Sequence, residues 1–289
     1  MTAWTRRGLI AAGLTAATVP STVFASPTGP ALWSVSRARA KVFLFGDNPD
    51  QRAPWRSARI EGALNESAVL WKETPDAGPG TTSLFFAKGV DPARPLSTWL
   101  TPDQRMRVSA AATGVNLGDA ALERFRPWLA AVFLEDGFNS HAGFKPEYGP
   151  TGDLTAMAKA AGKPIRTEFP DEAAIVDYFA SFSSAAEVGA LMRAVDDIEA
   201  GAEAADRNAH AWAAGDQRPD LADVLRWRQA YPAYYQRILV ERNGRWVLRV
   251  RAMLDGGGTT FVLVGGAHLV GPDSVQRQLA TAGLEAVRV

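Results

Sequence analysis

A short apolar run, Phe261-Val262-Leu263-Val264, stops at Gly265-Gly266-Ala267-His268 and gives way to Leu269-Val270-Gly271-Pro272-Asp273. No other stretch constrains the fold as tightly. Four consecutive β-type apolar residues read as a buried strand. The glycine pair lets the backbone turn sharply and leaves room beside the imidazole. Pro272 suits the first turn of a helix expected over 273–282. Strand, tight turn and helix together place a side chain at the carboxyl edge of a sheet, where α/β proteins put ligands and chemistry. His268 is one of only three histidines, so this edge is the first place to look for function.

The rest of the pattern is strands at both ends with a helical middle. Leu32-Trp33-Ser34-Val35 and Lys41-Val42-Phe43-Leu44-Phe45 read as two paired strands around a basic turn, ending at Gly46. A short helix is expected over 57–64, and Ala68-Val69-Leu70-Trp71 reads as a buried strand that ends before Glu73. Thr101-Pro102-Asp103-Gln104 is a capping box with proline at the first helical position. Helices are then expected over 102–113, 119–137, 153–161, 171–197, 199–214 and 219–239, with a short strand from Ile165 toward Glu168. A helix over 245–254, the strand over 259–264 and a terminal strand over 285–289 complete the reading. The expected fold is α/β with α+β character. A central mixed β-sheet comes from the N- and C-terminal segments, with a helical insertion over about 101–240.

Thr5-Arg6-Arg7-Gly8 followed by a modest alanine-rich apolar run, with Val23-Phe24-Ala25 as a cleavage site, reads as a signal peptide over 1–25. The paired arginines favour the twin-arginine route over the general secretory one, so the expected location is periplasmic or secreted, with 26–289 as one domain. Removing that leader takes two arginines and no acid from a balance of 31 basic and 31 acidic residues. A near-neutral protein lacks the electrostatic footprint of nucleic-acid or anionic-membrane binding. No run approaches the roughly 20 apolar residues of a membrane span. With no cysteine there are neither disulfides nor thiolate chemistry.

The phosphate-binding Gly-x-x-x-x-Gly-Lys loop, the His-Glu-x-x-His zinc helix and the Gly-x-Ser-x-Gly nucleophile elbow are all missing. What remains is polar residues at strand ends: Asp47 and Asn48 after Gly46, Glu73 after the strand ending at Trp71, and His268 after Gly265-Gly266. Two carboxylates and an imidazole around one crevice would suit a divalent metal or acid–base work. Asp47 and Asn48 also fit a plain turn, and Glu73 a solvated strand end. His141 reads as a surface loop residue and His210 as a helix-face residue. Most of the nine tryptophans read as core. Arg242-Asn243, after Glu241, fits either a clamp for a carboxylate or metal-bound group, or a helix junction in which Asn243 caps a helix starting at Arg245.

These residues resemble a known family. The segment 261–273 together with Arg242-Asn243 is similar to the C-terminal signature of the TraB/GumN family, which includes the Tiki-type proteases and is related to ChaN-like and erythromycin-esterase-like groups. The opening hairpin, the strand 68–73, Leu100-Thr101-Pro102-Asp103, Arg126-Pro127-Trp128 and the block from Gly152-Asp153 to Glu168 resemble family blocks in the same order. The resemblance implies a metal-dependent hydrolase, peptidase-like in the Tiki branch, with two Gly-x-x-His motifs and a glutamate between them. The second motif is Gly265-Gly266-Ala267-His268 and the glutamate is Glu73. The first falls on Gly46-Asp47-Asn48-Pro49, where proline stands in place of histidine. Proline offers no ligand atom, which weakens a site of about three protein ligands.

Two functional readings follow. In one, His268, Glu73 and Asp47 hold manganese, cobalt or zinc, and Arg242 steadies a developing oxyanion. In the other, the same crevice, including Asn243, Gly46, Asn48, Gly265 and Gly266, is a non-catalytic site for a peptide or small-molecule ligand.

Overall fold

The computed structural model describes residues 29–48 and 51–289; the leader over 1–25 and Pro49 lie outside them. The fold is α/β, around a mixed six-stranded sheet of order β4-β3-β5-β2-β1-β6. β1 (Leu32–Arg37) and β2 (Ala40–Asp47) form an antiparallel hairpin. β3 (Val69–Lys72), β4 (Ile165–Thr167) and β5 (Thr259–Gly265) run parallel to β2, and the short β6 (Ala286–Arg288) pairs antiparallel with β1. β5 lies between β2 and β3, so the crossover from β2 to β3 leaves a slot that the chain fills almost two hundred residues later.

Strands buried on both faces read as continuous apolar runs, and β2 and β5 do. In their register, Phe43 meets Phe261 and Leu44 meets Val262. Val42, Leu44, Val262 and Val264 point to one face, under Trp246, Val250 and Leu254 of α12 (Arg242–Gly256) and Leu279 of α13 (Val275–Thr281). Phe43, Phe45, Phe261 and Leu263 point to the other. There they meet α1 (Ala58–Glu66), α6 (Pro150–Ala160), Trp55 and, from α9 (Ala202–Ala213), Trp212. A separate core forms among α3 (Pro102–Gly114), α5 (Pro127–Ala142), α7 (Glu172–Ala180) and α8 (Ser184–Ala200), around Trp128, Leu129, Leu134 and Leu191.

Three expected long helices are interrupted, each at a residue with a local reason. The segment 119–137 breaks into Asp119–Leu122 and α5, because a residue before proline disfavours the helical region and Arg126, before Pro127, is extended. The segment 171–197 breaks at Ser183, extended and capping α8 through the Ala186 N–H. The segment 219–239 breaks at Tyr231-Pro232 into α10 (Arg218–Ala230) and Pro232–Tyr235, followed by a π-helix over Gln236–Glu241. The helix expected from Arg245 already begins at Arg242. After β5 the chain makes a 3-10 turn, Gly266–Leu269, and α13 starts only at Val275 with Ser274 as cap, so Pro272 is not in its first turn. His141 sits in the last turn of α5 and not in a loop, exposed as expected.

Candidate functional site at the carboxyl edge of the sheet

β3, β5 and β2 are parallel neighbours, so their carboxyl ends share one edge. Glu73 follows β3 directly, Asp47 ends β2 opposite Gly265, and His268 lies in the turn after β5. The backbone N–H of Gly265 donates to Glu73 Oε1. A Cβ on Gly265 would sit 3.3 Å from that oxygen and 3.9 Å from the His268 ring. One on Gly46 would sit 3.0 Å from the Gly266 backbone. Neither Gly265 nor Gly266 has a positive φ. These glycines are needed for close approach, and the sharp turn expected of them is not what they supply.

His268 is 3 % exposed, and its proton can be placed by following the chain of bonds. Asn243 Nδ2 donates to the Asp273 carbonyl at 2.8 Å, which turns Asn243 Oδ1 toward the imidazole Nδ1 at 2.5 Å. An amide oxygen only accepts. Nδ1 therefore carries the hydrogen and Nε2 presents a bare lone pair. Burial, with the Arg242 cation second, lowers the His268 pKa to about 4, so the ring is neutral near pH 7.

Nε2 faces Glu73 Oε1 across 3.7 Å, too far for a hydrogen bond. Arg242 Nη2 donates to Glu73 Oε2 at 2.6 Å and to Glu168 Oε2 at 2.5 Å, and Arg242 Nε also reaches Glu168. Burial alone would raise the Glu73 pKa, but Arg242, His268 and the Gly265 N–H outweigh it and hold it at about 2. Arg242, half-sandwiched over the Phe169 ring, is held above the usual arginine range; its burial acts the other way but is outweighed by Glu73 and Glu168.

Arg242 and Asn243 do not sit at a helix junction, and Asn243 is not a cap. The π-turn over Gln236–Glu241 runs straight into α12. A π-turn shifts the helix phase by one residue, a feature common at functional sites. Here two adjacent polar residues are both buried, at 5 % and 1 % exposure.

Asp47 is drawn elsewhere, since its carboxylate accepts from the Thr151 hydroxyl at the start of α6. Asn48 contributes its carbonyl to Gln51. His210 packs along α9 with Nδ1 on the Asp206 carbonyl. Glu168 and Asp220 were missed. Glu168 follows β4 as Glu73 follows β3, and that shared offset was a usable signal. Asp220, in the first turn of α10, lies against Gly266 on the other side of the turn. Burial, then Asp223 and Asp216, raises its pKa to about 6; nothing in Arg218-Pro219-Asp220 distinguishes it from an ordinary helix-start acid.

Residues 31–288 match the TraB/PrgY/gumN family. The chain belongs to that family. No curated protein matches it. The metal implied for this TraB/PrgY/gumN chain can be tested against its donors. His268 Nε2 and Glu73 Oε1 face one gap, and a metal bonded to both at about 2.0–2.2 Å would span it. A third donor is lacking: among the described residues no three His, Cys, Asp or Glu side chains gather closely enough to hold an ion. Arg242 already supplies a cation to Glu73. Two protein donors beside a guanidinium do not fit a catalytic divalent site, which takes about three.

Proposed function

We propose that this TraB/PrgY/gumN chain is a non-catalytic binding protein that takes a small polar ligand or a peptide end in the crevice between His268 and Glu73. The observation that carries the reading is the donor set. Two fixed acceptors face each other, and the carboxylate among them is already neutralised by Arg242. A group that offers two hydrogens, such as an amide or an amine, complements that pair. Both groups are also poor bases for neutral pH, at about 4 and about 2, whereas an effective general base has a pKa near the working pH. Glu73 keeps 23 % of its side chain exposed, which leaves an approach from solvent. Export through the Arg6-Arg7 leader, and a single working unit over 26–289, belong to the same proposal.

The rival is the metal-dependent hydrolase, favoured by the lone pairs of His268 Nε2 and Glu73 Oε1 meeting across 3.7 Å. Metal stoichiometry after loading with manganese, cobalt or zinc separates the two, with His268→Ala measured in parallel. The binding reading expects far less than one equivalent in both proteins. Near one equivalent in the native chain, lost in His268→Ala, would overturn it.

A further inference from the structure

Asp273 holds both ends of the π-turn. Its carboxylate accepts from the Tyr235 hydroxyl at 2.6 Å, and its backbone carbonyl accepts from Asn243 Nδ2 at 2.8 Å. Gln278 Nε2, on α13, donates to the same carbonyl at 2.9 Å. Tyr235 is the last residue before the turn over Gln236–Glu241, and Asn243 is the second residue after it. In a regular α-helix, residues eight apart lie about 80° from one another around the axis. One extra residue taken up by a π-turn makes them equivalent to residues seven apart, about 20° from alignment. The π-turn therefore lets Tyr235 and Asn243 reach one residue of the opposing segment.

That segment is built for the contact. The chain returning from His268 bends at Gly271, where φ is +84° and a Cβ would meet Val224 Cγ1 at 2.9 Å. Val224, Tyr235, Leu239 and Val270 form a small buried core of their own, which packs the π-turn against this bend. Tyr235 is buried, and that burial, followed by the Asp273 bond, holds its phenol above the usual range. The hydroxyl therefore stays a donor.

The Asp273 carbonyl decides which way the Asn243 amide faces. With the amide reversed, Oδ1 would oppose that carbonyl, acceptor against acceptor. Nδ2 would then face His268 Nδ1, and the ring would carry its hydrogen on Nε2. Nε2 faces Glu73 Oε1, so the two acceptors of the crevice would satisfy each other. A ligand that offers hydrogens and a divalent ion both need Nε2 bare.

We propose that Tyr235 and Asp273 are positioning residues for the crevice. Their bond latches the π-turn, holds the Asn243 amide in one orientation and keeps His268 Nε2 free to accept. The inference rests on the crevice as the binding site, but the hydrogen on the ring is measured without any ligand.

The test reads the imidazole ¹⁵N spectrum of the full, metal-free chain labelled at histidine, with His268 assigned from His268→Gln. It is run near pH 7, where the ring is neutral. In the native chain Nδ1 should resonate as an N–H and Nε2 as a bare nitrogen. Asn243→Ala, which removes the accepting oxygen itself, sets the released pattern. Tyr235→Phe and Asp273→Ala should each move the two signals toward each other, as the second tautomer gains about ten-fold, the scale of one hydrogen bond. Asp273→Asn keeps an acceptor oxygen for Tyr235 and should retain the native pattern. Tyr235→Phe keeps its ring in the small core, and Asp273 is half-buried, so water can replace the lost partner. A bare Nδ1 in the native chain, unmoved signals in both Tyr235→Phe and Asp273→Ala, or Asp273→Asn behaving as Asp273→Ala would each overturn the proposal. A full equivalent of metal in the separate loading experiment would overturn the binding reading and leave this inference standing.

Discussion

Replacing Arg242 with methionine tests the reasoning about the crevice most directly. The substitution keeps an unbranched side chain over Phe169 but removes the cation shared by Glu73 and Glu168. Glu168 is 5 % exposed and keeps Arg245, at 3.3 Å, as its one remaining ion pair among the described residues, with Arg249 on its backbone carbonyl; Glu73 keeps the Gly265 N–H. Holding Glu73 at about 2 instead of 4.5 corresponds to about 3 kcal/mol at 1.36 kcal/mol per pH unit. Part of that belongs to His268 and Gly265, and the exposed quarter of the side chain reduces it further. Stranding Glu168 adds to the loss, because breaking a buried pair costs about 3–5 kcal/mol. The expected loss at pH 7 is therefore about 3–5 kcal/mol. The sign with pH is also fixed. A depressed carboxylate pKa stabilises the fold fully above 4.5, and that stabilisation disappears as pH falls through about 2. In the variant Glu73 remains buried without the cation and takes up its proton at higher pH. The gap between native and variant should therefore narrow as the medium is acidified. Urea unfolding followed by tryptophan fluorescence from pH 8 down to pH 4 measures both effects. Adding Glu73→Gln to the variant should recover part of the loss. A variant within about 1 kcal/mol of the native chain at pH 7 would show that the cluster is not a coupled buried network.

Two further outcomes concern single groups. The His268 pKa is lowered from 6.5 to about 4, so the unfolded chain takes up this proton first. The histidine term is fully favourable above 6.5 and is lost as pH falls from 6.5 toward 4, by about 3 kcal/mol. An imidazole NMR titration placing His268 above 6 would contradict this. The Asp220 pKa is raised from 3.8 to about 6. Its charged form therefore strains the fold above 6, and the strain is relieved as pH falls toward 3.8. Asp220→Asn should gain about 1–2 kcal/mol at pH 7 to 8 after loss of a favourable helix-start charge, and little at pH 4. A destabilised Asp220→Asn at pH 8 would show that the Asp220 carboxylate is held by a favourable partner and not strained by burial, Asp223 and Asp216.

Local signals located β2, β5 and the ends that carry Asp47, Glu73 and His268, because strands buried on both faces are continuous apolar runs with abrupt polar stops. The capping box at Thr101 and Gln104 was equally legible, and both of its reciprocal bonds form. Helix breaks were harder to place. Pro127 and Pro232 interrupt helices that apolar periodicity alone carries through, because each pushes the residue before it out of the helical region. The π-turn before Arg242 left no trace, since it reflects tertiary packing more than composition.

From its sequence alone this protein's sheet-and-helix class, its family and the strand ends that matter were determined, since apolar periodicity and short motifs are local properties. Which of those ends meet was decided only in three dimensions. Strand order set β5 between β2 and β3, which brought His268 to Glu73 and left Asp47 with Thr151. The partners of Glu73 come from residues 169 to 195 positions further along. Burial and charge at that distance fix protonation states, and these depend on neighbours that no local pattern encodes.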